Sequence, residues 1–356
     1  MTVTSALVVG TGLIGTSVGL ALRAAGWTVH LVDVDPARAA LAADMGAGAA
    51  GIPDSPVDVA LVAAPPRHTA AALAQAIGGG LAGTYTDVAS VKEQVLTDLR
   101  ELGGDITRYV GGHPVAGRER TGPAGASHDL FTGRPWVLTP LPDQRADDVA
   151  VVRALVVACG ASPVVMSVEE HDRALATVSH LPQLVASALA AGLLDADPQA
   201  VPIAGQGLRD MVRIAASDPE LWADIAAANA DPLAAGLQGL IDRLAQVQQR
   251  LAAGDPATVQ EAVRRLLIAG NEGQARLPGK HGGASRDFAT VAVVVSDQPG
   301  QLARLLVDAG DCGVNVEDLR VEHTPGRPTG VIELFVEPGV ADTLRTALRE
   351  RGWSAH

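Results

Sequence analysis

From Ser5 to about Met166, short β-branched runs alternate with segments whose apolar residues recur at helical spacing. The runs are SALVV, TVHLV, DVALVA, TYTDV, RYVGG, WVLT and SPVVM, with a helix expected from Ile14 after the first. Such alternation implies parallel strands joined by crossover helices. From Glu169 to Leu251 the pattern changes to alanine and leucine at helical spacing, nearly without strand-like runs, which predicts a separate all-helical region. The stretch 270–286, GNEGQARLPGKHGGASR, has no apolar period and reads as a linker. Beyond it, TVAVVV, a helix from Gln301, NVEDLRVEH, GVIELFV and a helix from Val340 spell β-α-β-β-α, with room for a last strand at Trp353. The expected division is therefore a parallel α/β domain over 1–167, a helical domain over 168–275, a linker over 276–287 and a small α+β domain over 288–356.

Composition narrows the partners. A chain of 356 residues is too long for one ordinary core, and 47% hydrophobic against 19% charged residues excludes a disordered polymer. The formal charge of -13, with no long basic run, makes nucleic acid and anionic membrane poor partners, so an anionic substrate would need a locally placed arginine. Cys159 and Cys312 form no CxxC pair, which suggests neither a metal knuckle nor a disulfide framework and fits a reducing cytoplasm. The opening MTVTSALVVGTGLIG lacks a basic region before its apolar run, and no window reaches about eighteen uninterrupted apolar residues. A soluble, cytoplasmic protein is expected, with no metal.

Gly10-Thr11-Gly12-Leu13-Ile14-Gly15 follows the first strand and opens a helix. Gly10 suits the tight turn, Gly12 lets backbone approach a pyrophosphate, and Gly15 permits close helix-strand packing, which makes the sheet Rossmann-type and the cofactor a dinucleotide. Asp33 ends the second strand roughly twenty residues on, where an acid can accept from the ribose hydroxyls and repel a 2′-phosphate, favouring NAD. Two readings of it stay open, since Asp33 also serves simply as a strand end before Asp35 caps the next helix. Arg38 lies close enough in sequence to soften the exclusion of NADP.

Three clusters carry candidate chemistry. Thr86 to Lys92 places the Ser90 hydroxyl and the Lys92 ammonium at the C-terminal sheet edge, or alternatively supplies a helix cap. In GGHPVAGRE, His113 follows a strand end with glycines around it, well placed for proton abstraction. On the helical domain, Glu170-His171-Asp172, Ser179-His180-Leu181-Pro182-Gln183 and the stretch around Arg213, Trp222 and Asn229 interrupt an apolar background. Arg213 reads as a partly buried guanidinium needing an anion: either a substrate carboxylate, or an internal partner such as Asp210, Asp172 or Glu119.

In this order, GTGLIGTS, DVASVK, GGHPVAGRE, TVSHLPQ and RDMVRIAASDPELW resemble the prephenate and arogenate dehydrogenase family over residues 5 to 280. The resemblance implies NAD-dependent oxidative decarboxylation in tyrosine biosynthesis, an active site between the nucleotide and helical domains, and a homodimer formed by the latter. It implies His113 as catalytic histidine, Ser90 as orienter of substrate hydroxyl and nicotinamide, and Arg213 as ligand of a substrate carboxylate. Glu119 and Asp172 would gate the site and hold that arginine, while Ser179, His180, Gln183 and Trp222 would line the pocket. One departure is Gln183, where the motif often continues with a second histidine. Prephenate and arogenate both remain open as substrates. The tail, with Ser296-Asp297-Gln298-Pro299-Gly300 and Gly313-Val314-Asn315, resembles an ACT domain, implying that tyrosine or another aromatic amino acid binds near Asp297, Gly300 and Asn315. Two other classes compete. A non-catalytic amino-acid sensor would not need His113, Ser90 and Arg213, and a β-hydroxyacid dehydrogenase would need a lysine that Glu169 to Leu251 lacks.

Overall fold

The computed structural model describes residues 4–116, 122–277, 288–323 and 328–356. It divides into two compact units, Met1–Leu244 and Ala245–His356.

The first unit begins with β1 (Ser5–Val9), α1 (Leu13–Ala24), β2 (Thr28–Val32), α2 (Pro36–Asp44), the short β3 (Ala49–Ala50), β4 (Val57–Val62), α3 (Pro66–Gly78) and β5 (Ala82–Asp87). These strands form one sheet in the order β3-β2-β1-β4-β5, parallel at every pairing. Both faces are covered, so β1 buries Ala6 and Val8 on one side with Leu22, Leu31 and Leu138, and Leu7 on the other with Leu73, Tyr85 and Leu99. The chain runs outward from β1 through β2 to β3, then returns to place β4 on the other side of β1. That reversal leaves a crevice at the strands' C-terminal ends, the usual ligand position in an open α/β sheet.

After α4 (Glu93–Glu101) come β6 (Gly111–Pro114), β7 (Pro135–Thr139), α5 (Ala146–Ala158) and β8 (Ser162–Val165), a second sheet in the order β6-β7-β8. It joins the first through a bridge between Tyr85 and Tyr109, with the Val110 amide donating to the Tyr85 oxygen at 2.9 Å. Here the observed pairing departs from uniformly parallel strands: β6 runs antiparallel to β7, while β7 and β8 are parallel. A right-handed parallel connection needs a long crossover, usually a helix, and only a short 3-10 turn (Pro123–Gly125) appears among the described residues between β6 and β7.

The helical region starts at α6 (Val168–Leu175), where Ser167 and Glu170 form a reciprocal capping box. A π-helical turn (Ala176–His180) leads without a break into α7 (Leu181–Ala191). Pro182 has no amide hydrogen to give to the turn before it, and widening that turn removes the conflict. The continuous helix Val168–Leu194 is long and apolar enough to cross a membrane by length and composition alone, which an uninterrupted-run criterion does not detect. Yet His171, Asp172, His180 and Gln183 on it are buried and hydrogen-bonded to other parts of the unit. α8 (Gln206–Val212), α9 (Pro219–Ala228) and α10 (Ala230–Ala253) follow.

In the second unit α11 (Pro256–Gln274) extends into the stretch expected to be linker, and residues 278–287 of that stretch lie outside the described residues. The α+β part holds β9 (Ala289–Ser296), α12 (Gln301–Asp311), β10 (Asp318–His323), β11 (Thr329–Val336), α13 (Ala341–Glu350) and β12 (Ser354–Ala355). Its antiparallel sheet, ordered β10-β11-β9-β12, buries Val291, Val293 and Leu334 with Leu305 and Leu344. The last strand anticipated at Trp353 is β12.

Candidate active site

The glycine loop lies at the crevice. Gly10 has φ +97°, and a Cβ there would sit 2.5 Å from the Ala63 oxygen, so only glycine makes this turn without strain. A Cβ on Gly15 would meet the Gly10 oxygen at 1.9 Å, which is the close helix-strand approach expected of it. A Cβ on Gly12 would instead meet nothing within 4 Å. Open space thus faces the start of α1, whose first half-buried residues are Leu13 and Ile14 and whose amide end favours an anion. Asp33 is half-buried and fixed: its Oδ2 accepts from the Thr11 amide at 2.6 Å and the Thr11 hydroxyl at 2.9 Å, and its Oδ1 from the Asp35 amide at 2.9 Å. Oδ1, with a single donor, keeps capacity to accept from a ribose hydroxyl. The loop therefore fits a dinucleotide. Arg38 is exposed and lies 3.6 Å from Asp35.

His113, on β6, is 7% exposed and its Nδ1 lies 2.9 Å from Nε2 of His171 on α6. His171 Nδ1 in turn lies 2.6 Å from Asp172 Oδ1. The carboxylate also accepts from the Lys92 amide at 2.9 Å and the Glu93 amide at 2.9 Å. Chemistry orders the protons along this chain. A carboxylate only accepts, so His171 donates from Nδ1; its bare Nε2 must then accept from His113 Nδ1, leaving the lone pair on His113 Nε2. Burial, with smaller contributions from His171, Lys92 and His180, holds His113 well below the ordinary histidine value, so the neutral form prevails at pH 7. Burial likewise lowers His171. For Asp172 burial pushes upward, but the bonds from His171 and the two amides outweigh it and the carboxyl stays below its usual value.

Beneath His113, Asp87 at the end of β5 collects four donors. Lys92 Nζ and the Ala89 amide reach its Oδ2 at 2.5 and 2.9 Å, and the Tyr109 hydroxyl and Gly112 amide its Oδ1 at 3.0 and 3.1 Å. Lys92 Nζ also donates to the Gly112 oxygen at 2.6 Å. The ammonium expected at the ligand edge is thus turned inward and 1% exposed, because an unsatisfied Asp87 carboxylate beside it would be costlier than bringing the lysine in. Ser90 remains half-buried on the bend between β5 and α4.

The helical side completes the cluster. Asn229, capping α9, donates from Nδ2 to the Asp172 main-chain oxygen at 2.8 Å, and its Nδ2 lies 3.0 Å from His180 Nδ1. His180 Nδ1 must accept, which puts its proton on Nε2, and that atom is buried without a partner among the described residues. Burial lowers His180 to about 4, so the ring is neutral. Trp222 meets it edge-on at 6.1 Å, and Ser179 precedes it in the π turn, half-buried.

Three expectations change. Asp172 was expected to hold Arg213, but its carboxylate is engaged by His171 and two amides. Gln183 was expected to line the pocket, but its amide is bonded to Ile214 and Ser217. Arg213, expected to be partly buried, is exposed in the turn after α8. Glu119 lies outside the described residues. Residues that sequence reading left without a role are His171, Asn229, Asp87 and Thr11; the only sequence signal for the first was its place beside Asp172 one turn past a capping serine. In the second unit, Gly300 takes φ +85° to start α12, the Asp297 amide donates to the Pro328 oxygen at 2.9 Å, and Asn315 Nδ2 donates to Glu317 at 2.6 Å.

The sequence matches the family model "Prephenate dehydrogenase, nucleotide-binding domain" over residues 18–165 and "Prephenate dehydrogenase, dimerization domain" over 167–265. It is 38% identical to a protein of Streptomyces niveus named a probable prephenate dehydrogenase, over 99% of both chains. Among solved structures, A. aeolicus prephenate dehydrogenase in complex with hydroxyphenyl propionate and NAD+ is similar at TM-score 0.67 and 27% identity, covering 76% of this chain and 99% of that one. Synechocystis arogenate dehydrogenase is similar at TM-score 0.64 and 27% identity, covering 76% and 99%.

Proposed function

The chain belongs to the prephenate dehydrogenase family and is an NAD-dependent dehydrogenase, and from that premise we propose that it converts prephenate to 4-hydroxyphenylpyruvate with loss of carbon dioxide. The observation that carries the proposal is the ordered chain Asp172–His171–His113, which leaves a neutral imidazole with its lone pair on Nε2.

When bound, NAD would be held by the Gly10–Gly15 loop and Asp33 and would supply the hydride acceptor. His113 takes the proton of the ring hydroxyl as hydride leaves the same carbon, so a carbonyl forms there. The electrons of the carbon–carboxylate bond then enter the ring as carbon dioxide departs. His113 returns its proton to the new phenolate oxygen, which restores the base. Asp172, through His171, stabilises the imidazolium between those steps. Ser90 orients the hydroxyl and the nicotinamide, Arg213 binds a carboxylate, and the neutral Nε2–H of His180 donates to a substrate oxygen, with Ser179 and Trp222 beside it.

The same reading makes 1–167 the dinucleotide domain, 168–275 the substrate and dimerisation domain, and 288–356 an ACT-like regulatory domain after a linker at 276–287. The enzyme is a cytoplasmic homodimer of tyrosine biosynthesis, with tyrosine acting near Asp297, Gly300 and Asn315. Inhibition by tyrosine that survives removal of residues 288–356 would place the effector elsewhere.

Arogenate is the second reading, favoured by the likeness to an arogenate dehydrogenase at equal identity. Purified chain should reduce NAD faster than NADP, and with prephenate faster than with arogenate, as followed at 340 nm. A preference for arogenate exchanges the substrate and leaves the base in place. No absorbance change with any of the four pairs favours the sensor.

A further inference from the structure

Gln183 stands on α7, 5% exposed, and faces the segment that joins α8 to α9. Its Nε2 donates to the main-chain oxygen of Ile214 at 3.0 Å and to the hydroxyl of Ser217 at 2.6 Å, with the Ser187 hydroxyl farther off at 3.4 Å. A carbonyl oxygen accepts and never donates, so the Ile214 bond alone decides which end of the amide points at the segment. One side chain therefore fastens the segment at two points. The first lies within the 3-10 turn Arg213–Ala215, and the second directly precedes Asp218, whose carboxylate caps α9.

A buried amide is costly unless bonded, and a methionine would fill nearly the same space without that cost. What the amide adds is direction: it fixes where the turn sits against α7. Arg213 is the residue immediately before Ile214, so the place from which its guanidinium reaches out is set by the same bond.

We propose that Gln183 is a positioning residue that clamps the 3-10 turn and so aims Arg213 at the substrate carboxylate, without touching substrate itself. The inference rests on the reading of Arg213 as the carboxylate ligand. It also accounts for a polar residue at a position where the motif reading expected a pocket wall.

A double-mutant cycle tests it. In Gln183→Met the KM for prephenate should rise about tenfold, the scale of one lost hydrogen bond acting through a positioned group, while kcat and the KM for NAD stay within about twofold. Ser217→Ala, which removes one of the two fastenings, should give a smaller rise of the same kind. Adding Gln183→Met to Arg213→Ala should change nothing further, because there is no longer a guanidinium to aim. If Gln183→Met multiplies KM equally in both backgrounds, Gln183 acts on the substrate by itself and the clamp is wrong. An unchanged KM in Gln183→Met overturns the clamp while leaving Arg213 in its role. An unchanged KM in Arg213→Ala removes the underlying reading and the clamp together.

Discussion

Two buried polar clusters meet at Lys92, and they differ in whether they end. Around Asp87 every partner is internal: ammonium, phenol and two amides converge on one carboxylate, and the ammonium's other contact is the Gly112 oxygen. Around Asp172 the donors arrive from two amides and His171, and the chain then runs outward through His171 to His113 and stops at a lone pair. The Lys92 amide serves one cluster and its ammonium the other. A closed network of buried charge can only hold shape, whereas an open one presents a reactive atom whose protonation the interior has set. The difference predicts which substitutions damage turnover and which damage the fold.

The largest effect is expected at the open end. His113→Asn should lower kcat by roughly a hundredfold to ten-thousandfold, the range for losing a general base, with little change in thermal midpoint. Turnover near wild type would take His113 out of the mechanism and make the two clusters equivalent. The closed cluster should behave in the reverse way. Lys92→Met strands the Asp87 carboxylate, which should cost about 3–5 kcal/mol in denaturant unfolding. Pairing it with Asp87→Asn should restore much of that loss, since no buried charge is then left alone. A single variant as stable as wild type would mean that the Lys92–Asp87 pair does not hold the fold.

Much of the sheet was legible because short β-branched runs alternating with helical segments leave few alternatives, and GTGLIG announces its own backbone demands. His113 was legible as a histidine outside any apolar period. What could not be read were the bonds that set its tautomer, because His113 and His171 lie 58 positions apart and only the packing of β6 against α6 brings them together. Lys92 misled for a related reason: sequence places it at the ligand edge, but the direction of a four-carbon side chain depends on the nearest unsatisfied carboxylate. Arg213 looked partly buried from its apolar neighbours, yet Met211, one of those neighbours, is itself exposed. The antiparallel β6 escaped notice because strand-like runs carry no sign of direction.

A smaller effect tests how the open chain works. In Asp172→Asn the side-chain oxygen should take the Oδ2 position, where it accepts from the Glu93 amide at 2.9 Å and the Lys92 amide at 3.3 Å, and the new NH2 at the Oδ1 position would then face His171 Nδ1. His171 would carry its proton on Nε2 and donate to His113 Nδ1, so the His113 proton would move to Nε2 and block the base. A fall in kcat of about tenfold to thousandfold is expected, with the KM for NAD unchanged, smaller than for His113→Asn because the imidazole can still reorganise. Wild-type turnover would show that Asp172 braces α6 without ordering protons.

The smallest effect separates burial from catalysis through pH. His113, His171 and His180 are all held below the ordinary histidine value by burial, His180 at about 4, so each binds a proton more readily in the unfolded chain. Groups whose folded value is depressed contribute stability that is complete above the unfolded value near 6.5 and is lost as pH falls toward the folded one. The histidines' contribution to the unfolding free energy should therefore be constant above about pH 7 and decline below 6.5, by at most about 1.4 kcal/mol per pH unit for each histidine. Asp172 adds nothing in that window, because its lowered value makes its contribution disappear only below about 3.8. His180→Gln should make the decline between pH 6 and 5 shallower by up to one proton's worth, while the acid limb of kcat, which belongs to His113, moves only slightly upward because His180 is the smallest of the contributions holding that ring low. An unchanged slope would mean that His180 is as easily protonated in the folded protein as in water, and the neutral Nε2–H donor assigned to it would be lost.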